Sequence, residues 1–519
     1  MPCRVNHINK ITGVTYVYES VSAWDKDKKQ SRNKQVCIGK LDPVSGEFIP
    51  SNRLSPEQAA IRDPAVTASA EIVGPSILLD TITKRLNLEN LLKSCFPKEY
   101  RQIQVMAYYL ASHGGPLSYC GAWCKSHAHS VECLTSQRIS EILSGISIDQ
   151  KQTFFTKWMN KVLEDDYLCY DITSISSYSE LNEYIKYGHN RDNDKLPQLN
   201  LAILFGQKIH LPVYFERTPG NITDVTTLHN LLKTFKALDV KSLHCVMDKG
   251  FYSKKNVDEL LAAKDRFILS IPLNNKWVQH AIDDIYETIH GPQGYQKLDN
   301  EILYVHSRLY HWGQNKHRCY LHLYYNAHAR ADAIDQFTEE LVEYKKELES
   351  GELIKEHQEA YNAFFIVKTT PKRGIRVSYN DQAVSQYISR YAGFQALLTN
   401  DIKNSVECLQ IYRDKDVVEK SFDDLKNQLD MKRLRMHSSA TVDGRLFVQF
   451  IALIYMSALR EELRNSHLIE RYTVRELLHE METLTKIKYS GKYGHILTEV
   501  TKPQREILKG LNIELLSKT

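Results

Sequence analysis

The stretch that most limits how this chain can fold runs from Tyr167 to Pro272. Three β-rich runs come first: YLCYDITS (Tyr167–Ser174), LNLAILFG and KIHLPVYFE, the last two divided by a tight Gly206-Gln207 turn. Runs of β-branched and aromatic residues bounded by turn residues read as strands, so a three-stranded antiparallel meander is expected. After Pro219-Gly220-Asn221, apolar residues recur at helical spacing from Thr223 to Leu238. The buried-strand pattern SLHCVM then ends at Asp248, and KGFYSKKNVDELLAAKDRFILSIP reads as a helix and another strand. The resulting order, β-β-β-α-β-α-β, predicts an α/β domain. It sets Asp171 at the end of the first strand and Asp248 at the end of the fourth.

A chain of 519 residues is too long for one core, so three or four folding units are expected. The formal charge of +4 is small for that length, so any nucleic-acid surface must be a local patch. The N-terminus, MPCRVNHINKITG, lacks an apolar signal core. The longest apolar run, Leu446 to Leu459, is too short to span a bilayer. It reads as a buried helix, and no membrane partner is expected. Ten cysteines without regular spacing fit a reducing cytosol. Cys120, Cys124, His127, His129 and Cys133 sit close together, but their spacing matches no common zinc finger, which leaves metal binding open against free thiols.

Residues 1–54 alternate well enough for a small antiparallel β domain, whose Tyr16, Tyr18, Trp24, Lys26, Lys28 and Lys29 suit either DNA contact or packing. Residues 55–165 are helical, and Ser136–Gly145 followed by Ile148–Leu163 reads as a helix pair of the kind used in DNA binding or dimerisation. Residues 166–274 hold the first part of the α/β core. Residues 275–400 interrupt it with a β-rich insertion carrying a helical arm, ADAIDQFTEELVEYKKELES. Residues 401–465 return to the core, and 466–519 read as a helical tail that includes VRELLHEMETLTKI.

The returning segment, Ile411 to Leu429, reads as one helix with two stripes. At about 100° per residue, Val418, Phe422, Leu425 and Leu429 share an apolar face, and Tyr412, Lys415, Glu419 and Lys426 share the neighbouring one. Taken alone, the second stripe is the solvated face of an amphipathic helix. Set beside Asp171 and Asp248 it gains a chemical reading, because three converging carboxylates bind two divalent cations, and cationic and phenolic groups hold a phosphate backbone.

The spacing Tyr412, two residues, Lys415, three residues, Glu419, six residues, Lys426 resembles the signature of DDE transposases of the fourth insertion-sequence superfamily. Lys415 stands where that family usually has arginine, which keeps the charge but loses the bidentate fork. YDITSISSYSE, the PGN at 219–221, MDKGFYS and LRMHSSATVDGRLFVQFIAL resemble further blocks in the same order, and the N-terminal sheet resembles its long-chain branch. The resemblance implies a ribonuclease-H-like mixed sheet interrupted by a β-rich insertion, preceded by a small β domain and a helical domain. It also implies Asp171, Asp248 and Glu419 as catalytic metal ligands for two magnesium ions, with manganese as a substitute. Tyr412, Lys415 and Lys426 would contact DNA. The implied reaction is cleavage of element ends and joining to target DNA, through a hairpin that needs an aromatic platform. Trp277 and Trp312 are the insertion's tryptophans, and Trp312, beside Lys316 and Arg318, is the residue assigned to that role. The implied partners are terminal repeats, target DNA and a second copy of the chain, in a bacterial, nucleoid-associated, cytoplasmic setting. A nuclease without joining activity and a catalytically silent DNA-binding descendant are the alternatives.

Overall fold

A computed structural model describes residues 3–25, 30–51, 68–127, 129, 134–163, 166–178, 182–188, 195–237, 243–298, 301–354, 357–370, 374–434, 438–490 and 494–515. Lys26, Lys28, Lys29 and Cys133 lie outside the described residues. The chain divides into two compact units, Met1–Glu71 with Thr485–Glu499, and Ile72–Leu484 with Val500–Thr519.

In the first unit, β1 (Cys3–Ile8), β2 (Thr15–Asp25), β3 (Gln30–Leu41) and β4 (Phe48–Pro50) form an antiparallel meander in that order. Its turns are set by side chains that mimic backbone acceptors. Asn9 Oδ1 accepts the Ile11 and Thr12 amides before Gly13 at φ 68°, and Asp42 Oδ1 accepts those of Val44 and Ser45 before Gly46 at φ 70°. A separate sheet joins β5 (Ala68–Ile72) to the strands Thr485–Tyr489 and His495–Leu497. The helical reading of 466–519 is therefore corrected here. Thr485, Ile487 and Tyr489 alternate with Lys486 and Lys488, and this period of two prevails once the preceding helix has ended.

The second unit opens with α1 (Gly74–Arg85), α2 (Leu88–Cys95), α3 (Tyr100–Ser112), α4 (Cys120–Ser126), α5 (Ser136–Gly145) and α6 (Ile148–Val162). Thr135 caps α5, and Ser147 with Gln150 forms a reciprocal capping box on α6, which explains the two-residue break between them. Phe154, Phe155 and Trp158 of α6 are buried, so its apolar face is turned into the core.

The core follows the expected order. β6 (Leu168–Ser177), β7 (Gln198–Gly206) and β8 (Pro212–Pro219) pair antiparallel, then α7 (Asp224–Ala237), β9 (His244–Met247), α8 (Lys254–Ala263) and β10 (Arg266–Ser270) follow. β9 pairs parallel with both β6 and β10, giving the sheet order β8-β7-β6-β9-β10. This is the mixed five-stranded arrangement of a ribonuclease-H-like domain.

The insertion contains α9 (Lys276–Asp283), β11 (Tyr295–Leu298), β12 (Glu301–Trp312), β13 (His317–Tyr325), α10 (Ala329–Ser350), α11 (Gln358–Phe364), β14 (Phe365–Thr370), β15 (Gly374–Tyr379), α12 (Asp381–Gln386) and β16 (Phe394–Thr399). Most of its strands extend the core sheet. β16 pairs antiparallel with β10 and with β13, so the sheet continues as β10-β16-β13-β12-β11. An open β10 edge would leave a row of backbone groups unpaired, and β16 satisfies them. Only β14 and β15 stand apart, over a small core of their own that includes Phe337, Leu341, Tyr361 and Phe364.

The chain then runs through α13 (Ser405–Arg413), α14 (Asp416–Asp423), the short β17 (Arg433–Leu434) beside β6, α15 (Ser439–Asn465), α16 (Val474–Glu480) and α17 (Lys502–Gly510). α15 is long and apolar enough to cross a membrane by length and composition, and 89% of that apolar window is buried inside the protein. Its Asp443 joins three elements. Lys151 of α6 and Arg217 of β8 both bond its carboxylate, the latter at 3.0 Å.

Candidate active site

The site is built on two neighbouring parallel strands, with Asp171 inside β6 and Asp248 just past the end of β9. In the β6–β9 register Leu168 faces Cys245, Cys169 faces Val246 and Tyr170 faces Met247. One step further come Asp171 and Asp248, which therefore share a face of the sheet, because side chains alternate along a strand. Each acid also receives an amide of the following residue, Ile172 N–H to Asp171 Oδ1 at 2.8 Å and Lys249 N–H to Asp248 Oδ1 at 2.7 Å.

The segment laid over these acids differs from the single helix expected at Ile411–Leu429. α13 ends at Arg413, Asp414 and Lys415 form a turn, α14 restarts at Asp416, and Asp424–Gln428 closes in a π turn. The physical cause lies across the fold. The amide of Gln207, in the β7–β8 turn, donates to the Ile411 carbonyl at 2.6 Å. That carbonyl would otherwise accept from Lys415 N–H, which bonds the Tyr412 carbonyl at 3.3 Å instead. The sequence carries no cue for Gln207, since a glutamine in a turn looks like any polar loop residue.

The break lets Tyr412 and Lys415 approach the strand ends from two separate helices. The Tyr412 hydroxyl donates to Asp248 Oδ1 at 2.9 Å and also hydrogen-bonds Ser270 of β10. Burial, then the charge of Asp248, pushes this phenol's pKa well above its usual value, with Asp171 adding to the shift. Lys415 Nζ donates to Glu419 Oε1 at 2.9 Å. Burial works against the Lys415 ammonium, but Glu419, Asp248 and Asp171 outweigh it and raise its pKa above the ordinary lysine value. One cation thus feels all three expected acids.

Asp171, Asp248, Tyr412, Lys415 and Glu419 are brought together. Lys426 lies further on, half-buried in the π turn. Trp312 sits in the hydrophobic core at 6% exposure, its indole N–H bound to Asp258 Oδ1 at 2.7 Å and its ring edge-on to Trp277. Trp277 is half-buried and donates to the Tyr252 hydroxyl at 3.0 Å.

An all-oxygen donor set of three carboxylates suits a hard divalent cation. Among the described residues no three His, Cys, Asp or Glu side chains are gathered as a ready metal site, and here Glu419 is engaged by Lys415. That statement covers the cysteine-rich stretch too. His129 bonds Ser76, and His127 Nδ1 lies 2.9 Å from the Trp123 carbonyl. Cys120, Cys124 and the described remainder of that group are free thiols and imidazoles, while Cys133 is outside the described residues.

Mixed strand order, with one acid inside β6, another just past the end of the adjacent parallel strand β9, and two short helices returning over them, defines a ribonuclease-H-like domain. The transposase DDE domain family matches residues 163–455, more than half of the chain, and the chain belongs to that family. No curated protein matches it. Among solved structures, a cryo-EM synaptic complex of piggyBac transposase with hairpin DNA aligns at a TM-score of 0.38 and 8% identity, over 79% of this chain and 80% of that one.

Proposed function

We propose that this DDE transposase cleaves the ends of an insertion sequence and joins them to target DNA, with Asp171, Asp248 and Glu419 as its catalytic carboxylates. The observation that carries the reading is the adjacent register of Asp171 and Asp248 beneath a lysine that answers to all three acids. Two magnesium ions, or manganese in their place, held by these carboxylates would activate the attacking oxygen and stabilise the leaving one. Lys415 occupies Glu419 Oε1, and a metal ion binding that oxygen would displace the ammonium. The freed ammonium then pairs with a DNA phosphate, and Lys426 pairs with another along the same strand.

Water first displaces the element's 3′ oxygen from phosphorus, and the freed 3′ hydroxyl then attacks a second phosphodiester. In a hairpin route that second target is the opposite strand. The structure places Trp312 in the core, so its service as a stacking platform needs the ring to be uncovered on DNA. Two copies of the chain would hold two ends.

The test is cleavage and strand transfer on labelled end DNA with magnesium, comparing the parent with Asp171→Ala, Asp248→Ala and Glu419→Ala. Joining by the parent alone, with DNA binding kept in all variants, is the expected result. Cleavage without joining would identify a nuclease, and binding without cleavage a silent descendant.

A further inference from the structure

We propose that a basic notch on the flank of α14 is a second docking point, taking a backbone phosphate of the DNA away from the carboxylates. It lies between the β7–β8 turn, α14 and the later turns of α15, and is lined by His210, Lys420, Ser457, Arg460, Glu461 and Arg464. Three permanent cations meet two carboxylates there. Arg460 bonds Asp424, at 2.6 Å between Nη2 and Oδ1, while Glu461 pairs with Arg464 and lies 3.1 Å from His210 Nδ1 without a hydrogen bond to it. Among the described residues Lys420 has no carboxylate partner, and it is exposed.

The second observation is Ser457. Ser457 lines the notch and is buried at 4% exposure, and its hydroxyl has no hydrogen-bond partner among the described residues. A buried hydroxyl left unpaired costs about 1–3 kcal/mol, and a phosphate oxygen would accept its hydrogen. The combination of surplus positive charge and an orphan donor fits an anion better than a neutral ligand. Lys420 directly follows Glu419, about 100° round α14, and a duplex presents a phosphate about every 3.4 Å of axis on each strand, so the notch would take a phosphate other than those at the carboxylates.

The proposal rests on the reading that the chain acts on DNA, and its test separates the two. Duplex binding is measured against salt for the parent, Lys420→Gln with Arg464→Gln, Ser457→Ala, and Lys509→Gln as a surface control. In parallel, acetylation of Lys420 is followed by mass spectrometry without ligand, with duplex and with inorganic phosphate. Loss of this one phosphate contact should flatten the log–log salt slope by about 1, and Lys509→Gln should leave it unchanged. Ser457→Ala should weaken binding several-fold while thermal stability is kept or raised, since it removes the unpaired hydroxyl. Duplex should shield Lys420. An unchanged slope with Lys420 labelled equally fast with and without duplex overturns the notch. If the parent binds no duplex, the DNA reading fails, and shielding of Lys420 by inorganic phosphate alone then decides: protection retains an anion site, and none removes it.

Discussion

The Tyr412 hydroxyl donates to Asp248 Oδ1 at 2.9 Å, across 164 residues of sequence, and so ties the last turn of α13 to the end of β9. A phenol in that place fixes the carboxylate's rotamer. Tyr412→Phe keeps the ring and removes only that bond. Cleavage of end DNA is expected to fall about 10- to 100-fold, the usual cost of losing a partner that orients a ligand. The check is a magnesium titration of cleavage. Equal rates and midpoints in parent and variant would show that Asp248 needs no such support.

Gln207 is the residue that breaks the helix, and its removal tests whether the break matters. Gln207→Ala leaves the Ile411 carbonyl without its side-chain partner. A loss of about 1–3 kcal/mol is expected if that carbonyl stays buried and unpaired. Cleavage should fall further than stability explains, because Lys415 and Glu419 sit just beyond the break, whereas duplex affinity should change little. Denaturant unfolding and single-turnover cleavage on the same preparations decide it. A variant that is less stable but cleaves at parental rate would make Gln207 purely structural.

Asp443 neutralises Lys151 and Arg217 together, with all three side chains at 16% exposure or less. Asp443→Asn leaves two cations facing each other, and breaking a buried pair in this way costs about 3–5 kcal/mol. Adding Lys151→Met should recover part of that loss. A double-mutant cycle by urea unfolding measures the coupling, and strictly additive effects would contradict it.

Much of this fold is written in local patterns, and the site only in part. The three β-rich runs, the helix-strand alternation after Asn221 and the two acids follow from period-two and helical spacing, which survive packing unchanged. Asp171 and Asp248 were legible because each belongs to a local β-rich run, although β6 continues to Ser177 and so holds Asp171 in its interior. The break at Lys415 was not, because the Gln207 amide that causes it comes from 204 residues away. The burial of Trp312 was not legible for the same reason. Its neighbours Lys316 and Arg318 make the stretch look like a DNA contact, whereas the partner that places its indole N–H is Asp258 on α8. Thr485–Tyr489 shows that two periodicities can overlap where a short helix hands over to a strand.

Glu216 on β8 gives the protein a pH dependence of stability. Burial raises its pKa from the ordinary carboxylate range to about 7, and its Oε2 has no hydrogen-bond partner among the described residues. The folded state therefore holds a proton that the unfolded state releases at lower pH. The sign follows from that: the contribution is whole below the unfolded value of 4.5 and is lost as pH rises through about 7. Its size is on the order of a few kcal/mol, at about 1.4 kcal/mol per unit of pKa. Glu216→Gln keeps the shape without the ionisation, so it should match the parent at pH 5 and exceed it at pH 8.5. Urea midpoints across that range check the expectation, and parallel pH profiles for parent and variant would show that Glu216 stays charged throughout.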